Sequence, residues 1–137
     1  SRIAMKVSIL IVTHSNVGNV LLNAAKTIMV DTPSEMSCIN IWNQCDVELE
    51  ISYIDKMIQT MDKGEGVLIL NDLYGATPCN ILFKFLERQS VRVVTGLNLS
   101  MLLTVMNYSG LSLDDLMVKA IEGGKSNVFD IKTVLPE

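Results

Sequence analysis

His14 is the only histidine in this chain of 137 residues, and it ends the apolar run Lys6–Thr13 (KVSILIVT). The second stretch with chemical content is Gly66–Asn80 (GVLILNDLYGATPCN), where Asn71 and Asp72 follow the apolar Val67–Leu70. A neutral imidazole has one N–H and one lone pair. A carboxylate that accepts from Nδ1–H fixes the tautomer and aims Nε2 as a nucleophile. If Nε2 attacks phosphorus, the ring becomes cationic and the carboxylate stabilises that charge. Thr77 adds a hydroxyl donor for a phosphoryl oxygen. Helix starts after His14 and at Thr77 would offer free N–H groups and roughly 0.3–1 kcal/mol each from their dipoles. With a single acid in the loop, no Mg²⁺ site is expected, and transfer between two histidines does not need one.

The elements that must bring these groups together follow from periodicity. Lys6–Thr13 and Val67–Leu70 read as strands covered on both faces. Between them, Ser15 or Asn16 is placed to cap a helix whose apolar face is Val17, Val20, Leu21, Ala24, Ala25, Ile28 and Met29. Asp31–Ser34 breaks it, Met36–Trp42 reads as a strand, and Asp46 caps a helix reaching Met61 with Val47, Ile51, Ile54, Met57, Ile58 and Met61 inward. After Gly75, Thr77 is the expected N-cap with Pro78 at the first helical position, and the helix buries Ile81, Leu82, Phe85 and Leu86 before ending near Gln89. Val91–Thr95 is a fourth strand. Helices are expected from about Leu99 to Tyr108 and from Ser112 to Glu122, the second closed by Gly123-Gly124. Asn127–Leu135 alternates as an edge strand does.

Strands that alternate with helices demand an α/β, doubly wound and mostly parallel sheet with right-handed crossovers. In the order 2-1-3-4, strands one and three are neighbours and the winding reverses between them. Their carboxyl ends then place His14 beside Asp72 at the switch point, where open α/β sheets bind ligands.

Composition fits one domain, residues 1–137: 49% of residues are hydrophobic and 19% charged, which excludes disorder. Residues 1–5 are expected to be a disordered or leftover lead, with Met5 a candidate native start. A net charge of −4 without any Lys/Arg run argues against a nucleic-acid partner. No apolar run approaches the ~20 residues of a membrane span, and no signal-peptide pattern precedes the first strand. Cys38, Cys45 and Cys79 lack metal-like spacing and read as reduced thiols of a cytoplasmic protein. No metal and no cofactor is expected.

The strand ending Thr-His, the run G-V-L-I-L-N-D-L-Y-G-A-T-P-C-N and the run V-R-V-V-T-G-L-N-L-S-M-L together resemble the IIA component of the mannose-type (mannose/fructose/sorbose) phosphoenolpyruvate:sugar phosphotransferase system. The resemblance covers essentially the whole chain, and Asp72, Gly75, Thr77, Pro78 and Asn80 match the family in one run. It implies that His14 accepts a phosphoryl group from the carrier HPr and passes it to a IIB component, with Asp72 orienting the ring. Thr77, Ser15, Gly75 and Ala76 would surround the phosphoryl group. It also implies a homodimer, the antiparallel C-terminal strand joining the neighbouring subunit's sheet. Ser15 and Ala76 stand where the family usually has glycine, and Ser100 where proline is frequent.

Other readings of the same residues are plainer. Thr77-Pro78 starts a helix with or without a ligand, Asn98 is a turn residue, Asn80 is polar surface, and the methionines and Trp42 pack. A regulatory module of the same fold would use the same His14 to report carbon status without moving sugar. A flavodoxin-like binding domain lacks its phosphate loop and flavin-stacking aromatics here, and a hydrolase lacks a nucleophile elbow.

Overall fold

The computed structural model describes residues 5–31 and 34–136 of the chain. The expectation for residues 1–5 therefore lies, for residues 1–4, outside the described residues. The elements run β1 (Ser8–His14), α1 (Val17–Ile28), β2 (Met36–Ile41), α2 (Val47–Met61), β3 (Val67–Asn71), α3 (Thr77–Leu82), β4 (Val91–Val94), α4 (Leu99–Asn107) and α5 (Leu113–Ser126). All strand pairs are parallel, in the order β2-β1-β3-β4. That is the expected sheet.

Alternate residues of the central strands feed opposite layers, which is why those strands read as unbroken apolar runs. Ile9, Ile11, Leu68 and Leu70 pack with Leu22, Ala25, Met101, Leu102, Val105, Leu116 and Ala120 of α1, α4 and α5. Leu10, Val12, Val67 and Ile69 pack on the other face with Ile54, Ile58, Met61, Ile81, Leu82 and Phe85, from α2, α3 and the turn after it. The two layers clamp β1 and β3 so that solvent is met only at His14, the carboxyl end of β1, and at Asp72, just beyond the end of β3.

Local details depart from the sequence expectation at four places. Thr77 is the first residue of α3 rather than its cap, Ala76 takes the N-cap position, and no side chain caps the helix. α3 stops at Leu82, continuing only as a short 3-10 helix, Phe83–Phe85, so Leu86 is left half exposed. α5 does not end at Gly123-Gly124. Both glycines are buried inside it, where a Cβ on Gly123 would lie 2.1 Å from Thr104 Oγ1 and one on Gly124 2.8 Å from Met101 Cε. Close helix–helix approach, not termination, is their purpose. Finally, Val17, Val20 and Ile28 of α1 and Val47 of α2 face solvent; the buried residues of α1 are Gly18, Leu22 and Ala25.

The segment read as an edge strand, Asn127–Leu135, forms no strand in the single chain. It runs exposed along the surface and holds only a short 3-10 helix, Ile131–Val134. A strand needs a partner edge for its backbone groups, and this segment pairs with none among the described residues.

Candidate functional site

The β1–β2 register sets His14 opposite Ile41, and the β1–β3 register ends with Val12 opposite Asn71. Asp72 therefore leaves β3 level with the last turn of chain in β1. Its carboxylate lies against His14: Nδ1 is 3.1 Å from Oδ2 and 3.3 Å from Oδ1. The backbone N–H of His14 donates to the same carboxylate, at 3.3 and 3.4 Å. Two donors of one residue thus converge on Asp72. The carboxylate selects the tautomer with the proton on Nδ1, leaving the Nε2 lone pair free. The His14 side chain is 31% exposed and that of Asp72 14%, so the imidazole is reachable while its partner is sheltered.

The backbone after His14 turns sharply. Ser15 has φ +48°, the sole positive φ outside glycine among the described residues, and its N–H donates to Ile41 O at 2.9 Å. This left-handed conformation is the reason a glycine suits that position. Asn16 takes the N-cap position of α1, but its side chain makes no cap bond. Thr13, fully buried, supplies the acceptor instead: Gly18 N donates to Thr13 Oγ1 at 2.8 Å. A Cβ on Gly18 would stand 2.7 Å from Ile11 Cγ2, so α1 rests directly on β1 and holds the turn in place.

On the other side, Gly75 (φ +86°) turns the chain into α3. His14 and Ser15 open onto a cleft of about 440 Å³ lined further by Ile41, Trp42, Asn43 and Gln44. Thr77 lies in a different depression, of about 160 Å³, with Val47, Ile51, Asn80, Ile81 and Lys84. The structure thus brings together His14, Asp72 and Ser15. It gives Thr77 no bond to His14, and Gly75 and Ala76 belong to the connecting turn.

Asn71, which by sequence simply follows a strand, is the hub of this corner. It is fully buried, and its Nδ2 donates to Val12 O at 3.1 Å while Thr95 Oγ1 donates to its Oδ1 at 2.6 Å. A polar residue at the last position of a buried apolar strand was the available signal. Trp42, expected to pack, is instead more than half exposed at the rim of the His14 cleft.

The family model described as the PTS system fructose IIA component matches residues 8–121. The chain belongs to this family. Membership carries with it a phosphotransfer role in the sugar phosphotransferase system. Among solved structures, the EIIA component from Streptococcus agalactiae is 25% identical with a TM-score of 0.80, covering 93% of this chain and 98% of that one. A mannose/sorbose-specific IIA subunit from Enterococcus faecalis has 24% identity and a TM-score of 0.82, with 97% and 98% covered. A IIA protein associated with the fucose utilization operon of Streptococcus pneumoniae has 22% identity and a TM-score of 0.81, again with 97% and 98% covered. These last two likenesses show the fold. Among curated protein sequences none matches the chain. Among the described residues no helix is long and apolar enough to cross a membrane.

Proposed function

We propose that the chain is a cytoplasmic phosphoryl carrier, residues 1–137 forming one IIA domain, in which His14 Nε2 takes a phosphoryl group from phospho-HPr and hands it to a IIB component. The observation that carries this reading is the bond between His14 Nδ1 and Asp72. With the proton held on Nδ1, the Nε2 lone pair attacks the phosphorus. An N–P bond forms at His14 as the donor's N–P bond breaks, and the donor imidazole leaves with that electron pair. Positive charge grows on the His14 ring, and Asp72 stabilises it.

The phosphoryl oxygens are assigned to Ser15, which shares the His14 cleft, and to the Gly75–Ala76–Thr77 turn, whose Thr77 hydroxyl makes no cap bond. The first N–H groups of a helix have no acceptor within it, and that supports anion contact after His14 at α1. The homodimer by exchange of the C-terminal strand is part of the same proposal. The exposed Val128, Phe129, Ile131, Val134 and Leu135, together with the outer side of β4, which has no neighbouring strand among the described residues, support it.

The test is intact mass after incubation with phosphoenolpyruvate, enzyme I and HPr. One acid-labile phosphoryl group, absent in His14→Ala, is expected. An unchanged mass with a competent donor, or normal labelling of His14→Ala, overturns the reading.

A further inference from the structure

We propose that Asn71 is a positioning residue for His14, acting through Asp72, and that Thr95 sets the orientation of its amide. The inference rests on the reading of His14 as the phosphoryl acceptor, and it adds to it the device that aims the acceptor.

Asn71 sits at the last pair of the β1–β3 ladder, one residue before the carboxylate that holds the imidazole. It ties three strand ends together. Its Nδ2 donates to Val12 O of β1, its Oδ1 accepts from Thr95 just beyond β4, and its backbone carbonyl accepts from Leu97 N at 2.9 Å. The same Nδ2 faces Asp72 Oδ1 at 3.5 Å, a long contact that works chiefly by pointing an N–H dipole at the carboxylate.

Only one orientation of the amide fits. A flipped side chain would press its oxygen against the Val12 carbonyl and the Asp72 carboxylate, two acceptors that offer it no proton. The Thr95 hydroxyl, donating to Oδ1, adds to that choice. Asp72 itself has few other restraints: its partners in the site are the two donors of His14 and this amide. A carboxylate held only by the residue it must orient could rotate with it. The Asn71 amide gives it a fixed reference in the buried sheet, in the way that outer partners orient a reacting imidazole.

The network is separable from folding at its outer end. Thr95 is exposed while Asn71 is fully buried, so Thr95→Val removes the hydroxyl without opening the core. His14 is the only histidine, so ¹⁵N spectra of the imidazole report its tautomer without ambiguity.

The experiment compares wild type, Asn71→Val, Thr95→Val and Thr95→Ser by ¹⁵N imidazole spectra and by phosphoryl acceptance from phospho-HPr. In Asn71→Val the Nδ1–H tautomer is expected to lose population. Acceptance at saturating donor should fall about tenfold, with the KM for donor unchanged. Thr95→Val is expected to move both readouts in the same direction by less, and Thr95→Ser to restore them. A folded Asn71→Val with wild-type tautomer overturns the proposal, as does a slower rate without any change of tautomer. If Asn71→Val does not fold, Thr95→Val decides, and an unchanged tautomer there overturns it. A wild-type chain that takes no phosphoryl group refutes the carrier reading alone, because the tautomer comparison needs no donor.

Discussion

Asp72→Asn isolates charge from shape at the His14 pair. The carboxylate receives two donors from His14, Nδ1 and the backbone N–H, each within 3.4 Å of an oxygen. A carboxamide has one oxygen for those two donors. If it faces Nδ1, the tautomer survives but the negative charge that stabilises the developing imidazolium is gone. If the NH₂ faces Nδ1, the ring must turn that nitrogen into an acceptor, which moves the proton to Nε2 and removes the nucleophile.

The first case sets the smaller effect. Unit charges about 4 Å apart interact by about 1 kcal/mol in water and about 4 kcal/mol at an effective dielectric constant of 20. With His14 31% and Asp72 14% exposed, the site lies between those limits. A loss of about 1.4–2.7 kcal/mol corresponds to a rate roughly 10 to 100 times lower. Single-turnover acceptance from phospho-HPr, measured by rapid quench at donor concentrations well above the KM, reads the step directly. A rate within about twofold of wild type would refute the reasoning and make Asp72 a structural acid.

Ser15→Gly removes a left-handed serine at φ +48°, and the gain offsets the added freedom of the unfolded glycine. Thermal unfolding should show a net stabilisation of about 0.5 kcal/mol, and a lower melting temperature would contradict it. Gly18→Ala sets a Cβ 2.7 Å from the rigid, buried Ile11 Cγ2 and should cost about 1–3 kcal/mol in urea unfolding. The Asp55 carboxyl is held below the usual range first by its hydrogen bond from Arg88, so the unfolded chain binds more protons there. That contribution is complete above the ordinary aspartate pKa and is lost as pH falls through the lowered one; the penalty of Arg88→Met should therefore be larger at neutral pH than in strong acid, and equal penalties would contradict this. Deleting residues after Ser126 should give a monomer or an unstable protein, while a stable dimer by light scattering would rule out strand exchange.

Much of the sheet was legible because each strand of the centre is clamped between two layers. Burial on both faces leaves an unbroken apolar signal in Ile9–Val12 and Val67–Leu70, and alternation with helices admits few orders. The His14–Asp72 pair followed from that order alone, since strand-end residues of adjacent parallel strands must meet. What was not legible depended on contacts across the fold. Gly123 and Gly124 look like a helix stop until Thr104 and Met101 are seen pressed against them. Thr77 has the composition of an N-cap, yet the turn at Gly75 delivers Ala76 to that position. Asn71 showed only that a polar residue ends a buried apolar strand; its role stayed hidden because its partners lie on Val12 and Thr95, far away in sequence.

The C-terminal segment shows the limit most clearly, since its alternation is a statement about an edge it does not have within one chain. Val128, Phe129, Ile131, Val134 and Leu135 are all at least half exposed here, an arrangement that leaves their apolar surface in water. β4 lies at one end of the sheet with no strand on its outer side among the described residues, beside a cavity of about 400 Å³ lined by Val94, Thr95, Met101, Ile121 and Val128. An edge strand without a neighbour and a strand-like segment without a sheet correct one another's cost when they meet. Thr95 stands at that junction with its hydroxyl on Asn71. A strand laid against β4 by a second copy would therefore touch the outer end of the network that leads through Asn71 and Asp72 to His14. On this reasoning assembly and the aim of the histidine are not independent, and the truncation after Ser126 should alter the His14 tautomer as well as the mass of the particle.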